Sequence, residues 1–180
     1  MMHIPMPPEL RERAAKIKLL VLDVDGVLTT GQLFISPSGD VMKPFHTLDG
    51  HGIKMLQESG VQTAIITARS DAAVDARAAQ LGIGFYRKGS SDKKAVYQAL
   101  LAETGLSEAQ CAYIGDDVID LPVMIRCGLP VAVPNAHAEV RKRAAYTTAA
   151  AGGNGAVREL CDLIMYAQGS FQAALDRYLQ

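Results

Sequence analysis

Two aspartates two residues apart, Asp23 and Asp25, follow the apolar run Leu19-Leu20-Val21-Leu22 and precede Gly26. Two adjacent carboxylates repel unless a cation or a proton intervenes, so the pair asks for a metal. A hard divalent ion such as Mg²⁺ takes oxygen ligands and keeps several waters, so one or two carboxylates plus a substrate phosphate suffice. The pattern recurs later: Cys111-Ala112-Tyr113-Ile114 runs through Gly115 into Asp116 and Asp117, with Asp120 four residues beyond Asp116. From a strand end Asp116 can reach an ion held by Asp23, while Asp120 suits support of the ligand from behind. Thr67 closes a third apolar run, where a hydroxyl can donate to a phosphoryl oxygen. Taken alone, a DxD is also compatible with two solvated aspartates in a surface turn, and a strand-terminal threonine with a structural role.

The elements that must position these residues alternate. A continuous apolar run suits a strand covered on both faces of a parallel sheet, and side chains at i and i+2 of an extended segment point the same way. Asp23 and Asp25 are therefore expected side by side, at the carboxyl end of a strand, where open α/β sheets bind ligands. Gly26 leaves room for close backbone approach. Pro7-Pro8 opens a short helix to Lys16; residues 32–35 and 40–45 flank Ser36-Pro37-Ser38-Gly39 as a hairpin; a helix runs from about Gly52 to Gly60. Strands follow at 61–67, 84–86, 111–115, 129–134 and 146–148, with helices over 71–81, from 93 to about 103, and from the Gly152–Gly155 run to about Gln168. A last helix is expected over 171–179, with no indication of what it packs on. The alternation indicates an α/β, doubly wound, Rossmann-like parallel sheet. At 180 residues a single domain, 1–180, is expected.

Net charge is −1 and the composition is 49% hydrophobic and 21% charged, which gives no global pull toward nucleic acid or an anionic membrane. The expected partner is a small anionic substrate held by a local cluster. Met1–Pro8 lacks a charged and then apolar leader pattern, and no apolar run approaches about 18 residues, so a cytoplasmic location is expected. Cys111, Cys127 and Cys161 lack CxxC spacing and read as reduced core thiols. The four histidines show no HxH or HExxH spacing and do not suggest a metal site.

The stretch Asp23-Val24-Asp25-Gly26-Val27-Leu28-Thr29 resembles the first motif of the haloacid dehalogenase superfamily, and from about Ile17 to about Ile164 the chain is similar to its 3-deoxy-D-manno-octulosonate 8-phosphate phosphatases. Thr67 matches the second motif, Lys93, in preference to Lys94, the third, and Gly115 to Asp120 the last; Gly152 to Glu159 matches the family's tail. The resemblance implies a Mg²⁺-dependent phosphomonoesterase of lipopolysaccharide biosynthesis. Asp23 would be the nucleophile and Asp25 the general acid and base. Asp23, the Asp25 backbone carbonyl and Asp116 would hold the metal, Thr67 and Lys93 would hold phosphoryl oxygens, and Asp120 would support the ligand and Lys93. It further implies that His46, Thr47, Leu48, Asp49, Gly50, Lys54, Arg69, Arg77 and Lys93 contact an eight-carbon acid sugar phosphate. His46 and His51 are equally readable as surface loop histidines, and Arg77 as a solvated helix charge.

Two departures stand out. Leu48 sits where the family commonly has arginine, and Ala68 where it has glycine, which keeps a nine-carbon 2-keto acid sugar phosphate open as substrate. A non-catalytic relative that regulates or scaffolds another enzyme is the alternative of a different class. About twenty residues separate Thr29 from Gly50, too few for the roughly 40 of an independent cap domain. The hairpin (about 31–45) therefore serves as a flap, and the resemblance implies a homotetramer in which a neighbour covers the site. The resemblance also implies that the glycine run opening the C-terminal tail (about 152–180) acts as a lid, over this chain's own site or over a neighbour's.

Overall fold

In the computed structural model, which describes residues 6–180, Pro8 pre-sets the first turn of α1 (Pro8–Ala15), and Leu10 and Ala14 are its buried side. Most of Met1–Pro8 lies outside the described residues. All four residues of β1 (Leu19–Leu22) are buried, as a strand covered on both faces requires. A turn then leads to the hairpin of β2 (Phe34–Ile35) and β3 (Val41–Met42), which pair antiparallel. There follow α2 (Thr47–Glu58), β4 (Gln62–Ile66), α3 (Ala72–Leu81), β5 (Phe85–Arg87), α4 (Lys93–Thr104) and β6 (Cys111–Gly115). The chain ends with α5 (Leu121–Met124), β7 (Leu129–Ala132), α6 (Ala138–Arg143), β8 (Tyr146–Thr147), α7 (Ala156–Gln168) and α8 (Phe171–Asp176).

Six strands form one parallel sheet in the order β5-β4-β1-β6-β7-β8. The chain builds outward from β1 to one side and then crosses to build on the other, so the switch in strand order falls beside β1, where such sheets bind ligands. α1, α2 and α7 pack together as one group and α4 with α5 as another. The doubly wound α/β reading is therefore correct. All three cysteines are buried and unpaired. Among the described residues no helix is long and apolar enough to cross a membrane.

Three expectations change. First, β1 stops at Leu22, and residues 25–28 are a turn, so extended geometry does not carry through to Asp25. Second, α2 begins at Thr47 rather than near Gly52, because the His46 side chain accepts from the Leu48 N–H and caps the helix. Third, the glycine run of the tail is not a free turn within this chain but is packed against it. The Gly153 N–H donates to Val27 O at 2.8 Å, and a Cβ on Gly152 would lie 1.7 Å from Gly26 O, so only glycine lets the segment brace the chain's own Asp25 turn. Past α7 the chain returns to its own surface: Phe171 stacks on Tyr166 at 4.0 Å, and Arg177 pairs with Glu58 of α2.

Candidate active site

β1, β4 and β6 lie side by side, with Leu22 opposite Ile65 and Ile114. Residues one or two past these strand ends must arrive together. Asp23, Thr67 and Asp116 accordingly line one cavity of about 250 Å³, joined by Asp25, Arg69 and Asp117. Gly26 makes the convergence possible: its φ of +89° is open to glycine, and a Cβ there would lie 2.0 Å from the Asp116 carboxylate.

On the side of Asp23 the site is buried. Lys93, the first residue of α4, is fully buried, and its Nζ lies 2.7 Å from Asp23 Oδ1 and 2.7 Å from Asp120 Oδ1. Asp92 caps that helix by accepting from the Ala95 N–H, which fixes where Lys93 departs. The Tyr113 hydroxyl donates to Asp120 Oδ1 at 2.7 Å and accepts from Lys93 at 3.2 Å. Asp120 Oδ2 accepts the N–H groups of Asp116 and Asp117 at 3.0 and 3.1 Å. Both Asp120 oxygens are thus engaged with protein donors, which fits the supporting role expected of it.

Charge here is unbalanced. The carboxylates of Asp23, Asp116 and Asp120 bring oxygens within 4.8 Å of one another against the single ammonium of Lys93. Burial and the charge of Asp120 push Asp23 above the ordinary carboxylate range, against the pull of Lys93. Burial, then Asp120 and Asp117, push Asp116 up to about 7. Burial alone would lower Lys93, but Asp23 and Asp120 hold it above its ordinary value, as an ammonium. A buried excess of hard oxygen donors is what a divalent cation neutralises, so the residues fit Mg²⁺.

On the side of Asp25 the surroundings come from loops. The Asp25 side chain is 27% exposed, and its Oδ1 lies 2.7 Å from Nζ of Lys43, whose side chain is wholly buried. Lys43 Nζ also donates to Asp71 Oδ2 at 2.5 Å. Arg69 Nε lies 3.3 Å from that same oxygen and 3.8 Å from Asp25 Oδ2. Sequence reasoning gave Lys43 no role. It follows β3 directly, so the foot of the flap reaches into the site.

Thr67 is buried, and its Oγ1 accepts the Arg69 N–H at 3.3 Å. The other expected substrate contacts stand apart from the cavity in this chain. Asp49 is buried and accepts from the N–H groups of Gly155 and Arg158, so its carboxylate caps α7. Arg77 donates to His46 O at 3.1 Å and to Gln80 Oε1 at 2.8 Å, and packs over the Phe45 ring. The terminal amine of Arg77 lies over Gly50, where a Cβ would come within 2.4 Å of it. Lys54 reaches toward Gly82 at the end of α3. Thr47 and Leu48 are exposed in the first turn of α2.

Residues 85–160 match the family model described as haloacid dehalogenase-like hydrolase. The chain is 44% identical to 3-deoxy-D-manno-octulosonate 8-phosphate phosphatase KdsC of Salmonella typhimurium over 170 residues, 94% of this chain and 90% of that one. A probable YrbI family phosphatase from Pseudomonas syringae superposes with a TM-score of 0.95 at 51% identity, covering 97% of this chain and 99% of that one. The 3-deoxy-D-manno-octulosonate 8-phosphate phosphatase of Moraxella catarrhalis, solved with magnesium, phosphate and KDO, superposes with a TM-score of 0.93 at 41% identity, covering 98% and 99%.

Proposed function

Since the chain belongs to the 3-deoxy-D-manno-octulosonate 8-phosphate phosphatases of the haloacid dehalogenase-like hydrolases, we propose that it hydrolyses that sugar phosphate to the free sugar and inorganic phosphate. The observation that carries this is the convergence of Asp23, Asp25, Thr67 and Asp116 on one cavity, with Lys93 paired to Asp23. A relative of the same fold binds magnesium, phosphate and the product sugar. Asp23, Asp116 and the Asp25 backbone carbonyl would hold Mg²⁺, which when bound supplies the positive charge that offsets the phosphoryl oxygens.

In the first half-reaction the Asp23 carboxylate, oriented by Lys93, attacks phosphorus as the bond from phosphorus to the sugar oxygen breaks. The departing oxygen takes its proton from Asp25, so the sugar leaves as an alcohol and phosphate stays on Asp23. In the second, Asp25 takes a proton from a water that attacks phosphorus, which frees phosphate and restores both carboxyl groups. Thr67 and Lys93 hold phosphoryl oxygens throughout, and Arg69 faces the substrate carboxylate with its planar fork.

The same proposal places the reaction in the cytoplasm, in the supply of this sugar to lipopolysaccharide, and in a homotetramer. The flap supports the assembly: Phe34 and Met42, cross-strand partners on one face of the two-stranded ribbon, are 52 and 67% exposed, and Ile35 on the other face is 66% exposed. Light scattering is expected to give four chains per particle, and a monomer mass at micromolar protein would contradict it. The function is tested by phosphate release, with Mg²⁺ and with chelator, from the eight-carbon substrate, its nine-carbon analogue and hexose phosphates. Mg²⁺-dependent preference for the eight-carbon substrate is expected. Equal release from all three would overturn the substrate.

A further inference from the structure

Building on the role of Asp25 stated above, we propose that Lys43, at the foot of the flap, is a positioning residue that sets the orientation of Asp25 for proton transfer to the leaving sugar oxygen. Three observations combine. The Lys43 side chain is wholly buried, and a lysine is almost never fully buried unless its charge is paired. Its ammonium bridges two carboxylates from different parts of the chain, at 2.7 Å from Asp25 Oδ1 and 2.5 Å from Asp71 Oδ2. Asp25 Oδ1 has no other polar partner among the described residues, while Oδ2 lies on the side of Arg69, a residue of the cavity wall.

Alignment separates the two contacts. The bond from Lys43 to Asp71 has hydrogen-bond geometry, whereas its approach to Asp25 has ion-pair distance without that alignment. Asp71 is the N-cap of α3 and anchors the ammonium; Asp25 is the group the ammonium steers. With Oδ1 turned toward Lys43, Oδ2 is left to meet the substrate. The ammonium also faces the negative charge Asp25 acquires as its proton leaves, an attraction that grows toward the transition state. Since Lys43 immediately follows β3, the seating of the flap and the orientation of the acid are one mechanical unit.

The test compares leaving groups. A sugar alkoxide needs a proton to depart and p-nitrophenolate does not, so an acid-positioning residue matters to one substrate and not to the other. First-turnover rates of leaving-group release isolate this step from the later attack of water. In Lys43→Met the ratio of the sugar-phosphate rate to the p-nitrophenyl phosphate rate is expected to fall about a hundredfold, the lower end of what a positioned acid contributes. Lys43→Gln is expected to show the same fall and serves if the methionine variant does not fold. Asp25→Asn is the control. A falling ratio in Asp25→Asn with an unchanged ratio in the Lys43 variants overturns this proposal alone, since damage to packing or to phosphate binding slows both substrates equally. An unchanged ratio in Asp25→Asn overturns the role of Asp25, and the positioning role of Lys43 with it.

Discussion

Asp23 and Asp25 are two residues apart, yet one is held by the core and the other by the surface. Asp23 meets a lysine from the start of α4, itself fixed by the buried Asp120 beyond the end of β6 and by the buried Tyr113 in the middle of that strand. Asp25 meets a lysine from a two-stranded flap and an arginine from a loop, with the N-cap aspartate of α3 between them. The difference matches the chemistry asked of each. A nucleophile must sit at fixed distance from phosphorus, and rigid strand ends supply that. Asp25, proposed to serve first as acid and then as base, is the partly exposed one, on a turn that lines the cavity.

That contrast can be broken at several points. The largest effect is expected from Asp23→Asn, with turnover lower by about 10⁴-fold or more, as for other single nucleophile losses; near-normal phosphate release would dismiss the nucleophile. Next comes Lys93→Met. It removes the ammonium paired with the two buried carboxylates of Asp23 and Asp120, beside the half-buried Asp116, so turnover is expected to fall about 10³-fold and urea denaturation to show a loss of about 3 kcal/mol. An unchanged unfolding midpoint would show that Lys93 does not hold the core side together.

On the surface side effects should be smaller and more selective. Arg69→Ala is expected to raise KM for the acid sugar phosphate about tenfold with little change in kcat, the size of one lost charged hydrogen bond. Steady-state kinetics with a neutral sugar phosphate, whose KM should not move, is the check. The smallest effect concerns Asp71, which the Lys43 hydrogen bond holds below the ordinary carboxylate range. A depressed folded pKa means that its stabilisation is present above the unfolded value and is lost as pH falls through the folded one. Thermal melts of wild type and Asp71→Asn should therefore differ at neutral pH and converge as the pH is taken down through and below the ordinary carboxylate range. A constant gap would remove the ion pair as its cause.

The same division governs what was legible in the sequence. Asp23, Thr67, Asp116 and Asp120 were readable because apolar runs announce strands and parallel strands deliver their ends to one place; Lys93 was recognised through its motif. Nothing comparable announces Lys43 and Asp71, which meet across 28 residues through a flap with no burial pattern of its own. Asp49 was expected at the substrate through the resemblance of its segment; that its carboxylate caps a helix more than a hundred residues away was not legible. The start of α2 was placed late since Thr47 to Gly52 carries two glycines and little apolar periodicity, and the cap comes from His46. Turn geometry at Asp25 was hidden for a related reason: the alternation of a strand continues past Leu22 in the letters but not in the backbone.

The division of labour between the two aspartates is tested most directly by rapid-quench mass spectrometry of Asp25→Asn mixed with p-nitrophenyl phosphate and Mg²⁺. That leaving group needs no acid, while breakdown of the covalent intermediate needs the missing base. Phosphate is therefore expected to accumulate on the peptide that contains Asp23, at close to one per active site. Release of p-nitrophenolate with no phosphate on the protein, or with phosphate on any other residue, would contradict the account.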